Sequence, residues 1–181
     1  MRMVFVFHAA KSEVPTDAPT EIRANPPATI KGMREVQELV EKLRKFAPFA
    51  ALYASRLARA TDTASILALA FDLDFSSLKE LGQHASRSGN ESVYYPGCED
   101  ETYATWRDGA LKAIEQIRER HYDKGTVLVV SHRPIIASLM MASLGISNPD
   151  VIRKLARSAD FPTKPFVVID FDGQNITIVD Q

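Results

Sequence analysis

The chain has 181 residues, 45% hydrophobic and 25% charged, which suits one globular domain and is wrong for a disordered chain. Its net charge is −1, so no global positive field recruits nucleic acid or an anionic membrane, and neither is an expected partner. A single cysteine, Cys98, excludes an internal disulfide framework and a cysteine-built zinc site, and fits a reducing compartment.

Residues 3–7 are β-branched and aromatic, which predicts a buried strand. The run Val4–Phe7 is too short for a signal-peptide core, and Lys11 and Glu13 follow it closely. Residues 11–28 carry Pro15, Pro19, Pro26 and Pro27 and read as a loop. From Thr29 a helix is predicted, with Val36, Leu39, Val40 and Leu43 on one face. Pro48 closes it, and Phe49–Ala54 reads as a second strand. Ser55–Phe71 is predicted as a second helix, and 73–81 as holding a short strand.

Residues 82–99 are polar, with Gly89, Pro96 and Gly97, and form a loop or small insertion. Tyr103, Trp106, Ala110, Ile114 and Ile117 mark one face of a helix that ends before Gly125, the two aromatic residues being core. Thr126–Ser131 is a strongly apolar strand, and a helix follows from Pro134. The apolar stretch from Pro134 to Ile146 falls short of the ~20 residues a bilayer crossing needs. A short helix is expected at 149–158, and Phe166–Phe171 and Ile176–Val179 flank Asp172-Gly173 as a closing hairpin. Strands alternating with helices predict an α/β fold, a three-layer α/β/α sandwich with a mostly parallel central sheet. We expect one domain over 1–181 and a cytoplasmic protein.

Ligands of such sheets bind beyond the carboxyl ends of the strands. There the chain reads Phe7-His8-Ala9-Ala10-Lys11, Ser55-Arg56-Leu57-Ala58-Arg59 and Ser131-His132-Arg133-Pro134. A cation in the first turn of a helix is unfavourable by itself, about 0.3–1 kcal/mol when exposed. A bound anion reverses that sign, because helix N–H groups and guanidinium donors then converge on it. Three such ends on one rim suggest an oxyanion pocket for phosphate; the alternative is that Arg56 and Arg59 point to solvent. A neutral imidazole is a competent nucleophile toward phosphorus, and fixed positive charge must then hold the phosphoryl oxygens.

Four segments in order give the chain its family resemblance. They are Val4-Phe5-Val6-Phe7-His8, Pro27–Gly32, Ser55–Ala64 (Ser-Arg-Leu-Ala-Arg-Ala-Thr-Asp-Thr-Ala) and Val129-Val130-Ser131-His132. Together they resemble the histidine phosphatase superfamily, with its phosphoglycerate mutase-like fold, along nearly the whole chain. His8-Ala9-Ala10-Lys11-Ser12 and the short length look like the compact bacterial phosphohistidine phosphatase branch.

The resemblance implies that His8 is the nucleophile that becomes phosphorylated, with Arg59 and His132 as phosphate ligands; no cofactor is expected. Glu80, in Leu78-Lys79-Glu80-Leu81-Gly82, is similar to the segment that supplies the general acid, although the tryptophan-containing pattern after it is missing; the alternative is an ordinary exposed carboxylate. One departure concerns the chemistry directly. Phe7 stands where the family has an arginine, and it cannot donate to phosphate. Arg133 is the first candidate substitute, or else a solvated helix-start residue, and Lys11 is the second. Arg23 and Arg87 lie in loops.

The expected partner is a phosphorylated small molecule or a phosphoprotein, hydrolysed without metal. The rival expectation is a pseudophosphatase that binds a phosphorylated ligand without turnover, for which Phe7 speaks. His84 reads as a surface histidine, and His121 as a structural residue near a helix end, where a partly charged imidazole is favoured. Cys98 has no nearby cations to make it reactive. No phosphate-binding Walker loop, dinucleotide glycine fingerprint or His-Glu-x-x-His motif occurs, and no metal site is expected.

Overall fold

The computed structural model describes residues 1–10, 25–82, 103–143, 165–172 and 175–180, with single positions at 13, 15, 17–19, 22 and 151. The elements in chain order are β1 (Arg2–Phe7), α1 (Ile30–Leu43), β2 (Phe49–Ser55), α2 (Ala58–Phe71), β3 (Phe75–Leu78), α3 (Tyr103–Arg120), β4 (Thr126–Ser131), α4 (Arg133–Ser143), β5 (Phe166–Asp172) and β6 (Asn175–Asp180). Two short 3-10 turns, Arg44–Phe46 and Lys79–Leu81, follow α1 and β3. The expected insertion after Gly82 and the expected helix at 149–158, apart from Val151, lie outside the described residues.

The six strands form one sheet in the order β3-β2-β4-β1-β5-β6. β1 to β4 run parallel, and β5 pairs antiparallel with both β1 and β6, so the hairpin closes one edge. Successive side chains of a strand point to opposite faces, and both faces of the central strands are buried. Val4, Val6, Leu128 and Val130 pack with Val36, Leu39 and Leu43 of α1 and with Ala60, Ala64 and Leu67 of α2. Met3, Phe5, Val127 and Val129 pack on the other face with Ile114 and Ile117 of α3 and Ile135, Ile136 and Leu139 of α4. The fold is therefore the three-layer arrangement expected from the alternating elements.

Local contacts fix how the helices meet the rim. Thr29 caps α1, its hydroxyl accepting from the Gly32 amide at 2.9 Å, while its own amide donates to Ala10 O at 2.8 Å. A Cβ on Gly32 would lie 2.8 Å from the Ala10 nitrogen, so only glycine lets α1 approach the chain leaving β1 this closely. α2 begins at Ala58, not at Ser55: Ser55 ends β2 and Arg56 precedes the helix. The side chain at its N-cap position, Leu57, makes no capping bond; Asn25 Oδ1 accepts from the Ala58 amide at 2.8 Å instead. That partner lies 33 residues away in sequence.

Candidate active site

The parallel registers Phe7↔Ser131 and Ala54↔Val130 bring the carboxyl ends of β1, β4 and β2 to one rim, and Ser55↔Leu78 adds that of β3. His8 follows β1, with its amide donating to Ser131 O at 3.1 Å. Its Nδ1 lies 2.6 Å from Ala9 O. A carbonyl only accepts, so Nδ1 carries the ring proton and Nε2 keeps its lone pair as an acceptor. That is the nitrogen a phosphorus centre needs.

Arg59, in the first turn of α2, is only 5% exposed. Its Nε donates to His8 Nε2 at 3.2 Å, and its Nη2 lies 3.4 Å from His132 Nδ1. The two imidazole rings have centroids 4.6 Å apart and are tilted by 54°. His132 is completely buried, and its other nitrogen, Nε2, is 2.9 Å from Ser55 Oγ. Burial first, then the neighbouring His8 and Arg59, hold the His132 imidazole well below its ordinary range, so it is neutral.

Supporting bonds hold this group in place. Thr63 Oγ1 accepts from the Ala9 amide at 2.9 Å and donates to Arg59 O at 2.7 Å, tying α2 to the chain beyond β1. Asp62 Oδ2 accepts from the Ala28 amide at 2.8 Å. Ser131 Oγ donates to Leu81 O at 2.9 Å, which draws the turn after β3 against the end of β4.

The structure brings His8, Arg59 and His132 together as expected, and adds Ser55. Glu80 sits in the turn after β3, half-buried, its Cγ 4.0 Å from where a Cβ on Gly109 would lie; it forms no hydrogen bond or ion pair among the described residues. Arg133 opens α4 and Arg56 precedes α2; both are exposed and make no such contact among the described residues. Phe7 is half-buried and packs on the α3/α4 side of the sheet. Lys11, Arg23, His84, Arg87 and Cys98, and the side chains of Tyr103 and Trp106, lie outside the described residues. His121 is buried just beyond α3, with Nε2 2.9 Å from the Tyr53 hydroxyl. Burial, Lys124 and Arg120 lower its pKa, which disfavours the partly charged imidazole expected there.

Sequence reasoning quoted Ser55 and Thr63 within a motif without giving either a role. A small hydroxyl residue ending an apolar strand, and a threonine one turn after the arginine, were the available signals. Among the described residues no cluster of three or more His, Cys, Asp or Glu side chains is placed to hold a metal, and no helix is long and apolar enough to cross a membrane.

The rim therefore carries two imidazoles around one buried guanidinium, on an α/β sandwich. The histidine phosphatase superfamily (branch 1) model matches residues 8–83 and 80–179, and the chain belongs to that superfamily. The structure is similar to that of YhfR from Bacillus stearothermophilus, with 19% identity, TM-score 0.75 and coverage of 99% of this chain and 96% of that one. The α-ribazole phosphatase from Shigella flexneri matches with 16% identity, TM-score 0.72 and 99% and 95% coverage. The protein histidine phosphatase SixA, solved with tungstate, matches with 16% identity, TM-score 0.63 and 99% and 94% coverage. No curated protein sequence matches the chain. The structural likenesses establish the phosphoglycerate mutase-like fold, and the family match supports a phosphatase enzyme.

Proposed function

We propose that this protein is a metal-independent phosphatase that cleaves a phosphomonoester or a phosphohistidine through a phospho-His8 intermediate. One observation carries the reading: a lone-pair nitrogen, His8 Nε2, faces the Nε/Nη2 edge of a buried arginine that also reaches His132. That edge chelates two oxygens of a tetrahedral anion. His8 Nε2 attacks phosphorus as the bond to the leaving atom breaks, with Arg59 and His132 holding the oxygens that gain charge. Glu80, at the same rim, protonates the leaving oxygen. It then takes a proton from the water that attacks phospho-His8, which releases inorganic phosphate and regenerates the free imidazole.

A phosphohistidine substrate asks less of the acid, since its nitrogen leaves readily once protonated. The match to SixA, a protein histidine phosphatase, favours that substrate, and the match to an α-ribazole phosphatase favours a small ester. Arg133 and Lys11 are the further cations proposed for the phosphate, and the cytoplasm is the proposed compartment. The second reading, a pseudophosphatase that binds without turnover, draws on Phe7, an apolar residue immediately before the nucleophile.

The test is hydrolysis of 4-nitrophenyl phosphate in the presence of EDTA. Wild-type protein turns over and His8→Ala does not; equal rates in both would contradict the proposal.

A further inference from the structure

Ser55 belongs to no step described above, yet it is fully buried and touches the ring nitrogen that faces away from the pocket. His132 has two nitrogens with different neighbours. Nδ1 faces the Arg59 guanidinium, which also holds His8 Nε2, so Nδ1 is the nitrogen an incoming oxyanion meets. Nε2 faces Ser55 Oγ at 2.9 Å, and that oxygen also accepts from the Leu57 amide at 3.2 Å.

A guanidinium only donates. In the unliganded protein Nδ1 is therefore an acceptor, and the single proton of the neutral ring sits on Nε2, donated to Ser55. An oxyanion reverses the demand, because phosphoryl oxygens only accept. His132 must then present a proton on Nδ1. A doubly protonated ring is opposed by complete burial and by the adjoining guanidinium, which leaves the other neutral tautomer.

We infer that Ser55 is a positioning residue whose hydroxyl accepts from His132 Nε2 in the free enzyme and donates to it when an anion is bound, so that a neutral imidazole serves the phosphoryl group. The two tautomers interchange by gaining one proton at Nδ1, on the pocket side, and losing one from the buried Nε2–Ser55 pair through the serine hydroxyl, with no change in net charge. A hydroxyl suits this position because it donates and accepts from the same place. A carboxylate there would pin the proton on Nε2, and a lysine would exclude it. The inference rests on the phosphatase reading of the site.

Ring-nitrogen NMR of the 15N-labelled wild-type protein, free and saturated with inorganic phosphate, tests it. The expected spectrum has the His132 proton on Nε2 in the free protein and on Nδ1 in the complex. A proton that stays on Nε2, or a ring protonated on both nitrogens in the complex, overturns the inference while the shifted His8 signals still report a bound anion. Phosphate that moves neither ring removes the anion site and this inference with it. In parallel, Ser55→Ala, which removes the group that donates to Nε2 in the complex, weakens phosphate binding about tenfold, and Ser55→Thr, which keeps the hydroxyl, restores it. Wild-type affinity in Ser55→Ala would contradict the role. Should the variants fail to fold, the wild-type spectrum decides alone.

Discussion

Two arginines in this molecule offer the same guanidinium edge to opposite kinds of partner. At the sheet's hairpin side, Arg2 donates through Nε and Nη2 to Asp170 Oδ1 and Oδ2, both at 2.7 Å. At the rim, Arg59 uses the same two nitrogens toward His8 and His132, at 3.2 and 3.4 Å. The first pair is partly exposed, with side chains 41% and 36% accessible, and its charges cancel. The second is buried and pairs with no carboxylate among the described residues. An exposed pair of this kind contributes at most about 1 kcal/mol, whereas a buried guanidinium with neutral acceptors carries an unrepaid desolvation cost. The difference teaches what each is for: Arg2 closes a fold, and Arg59, in the proposed reading, holds an oxyanion.

The sharpest way to break this comparison is Arg59→Met. Removing the charge should lower turnover about 10²–10³-fold, the usual effect of losing an oxyanion donor. Stability should hold or rise, because an apolar side chain of similar length replaces a buried unpaired charge. Hydrolysis kinetics and the urea midpoint, measured on the same preparation, check both halves. A variant that keeps its activity, or that unfolds like a broken core, would make Arg59 a second Arg2.

A smaller effect sharpens the electrostatic side. Phe7 borders His8 without a donor, so Phe7→Arg adds a second fixed charge and should raise aryl phosphate turnover at least about tenfold. An unchanged rate would mean that another cation, with Arg133 the first candidate, already serves the phosphoryl group.

The smallest effect separates the two regions by pH. His132 is neutral in the folded protein because its pKa is lowered, while an unfolded imidazole titrates near about 6.5. Below that pH the unfolded chain binds more protons, so stability declines as the solution is acidified through it; His121 adds in the same direction. The Arg2 pair responds later. Arg2 holds the Asp170 carboxyl below its ordinary value, so this contribution is complete above the usual carboxylate range and disappears as pH falls through it. Urea midpoints from about pH 7.5 to about pH 4 should fall in that order; a profile flat through the imidazole range would contradict the neutral, buried His132.

Much of this arrangement was legible in the sequence because the central strands bury both faces. Val4–Phe7 and Val127–Val130 are unbroken apolar runs, so the histidine after each stands out at a strand end. Arg59 was legible as an arginine in the first turn of a helix and from the Ser55–Ala64 segment. What the sequence hid depends on partners far away in the chain. The start of α2 was placed three residues early because its capping side chain, Asn25, comes from the segment before α1 rather than from the helix entry. His121 is buried against Tyr53, 68 residues earlier, and this burial works against the charge that its helix-end position suggested. Ser55 looked like an ordinary strand-end residue until His132, 77 residues later, was placed against it.

The most direct measurement is a crystal structure of the wild-type protein grown with tungstate or phosphate. One tetrahedral anion should accept from Arg59 Nε and Nη2 and from His132 Nδ1 at about 3 Å, with His8 Nε2 facing its central atom. An anion bound elsewhere, with the guanidinium still resting on the two imidazoles, would contradict the account.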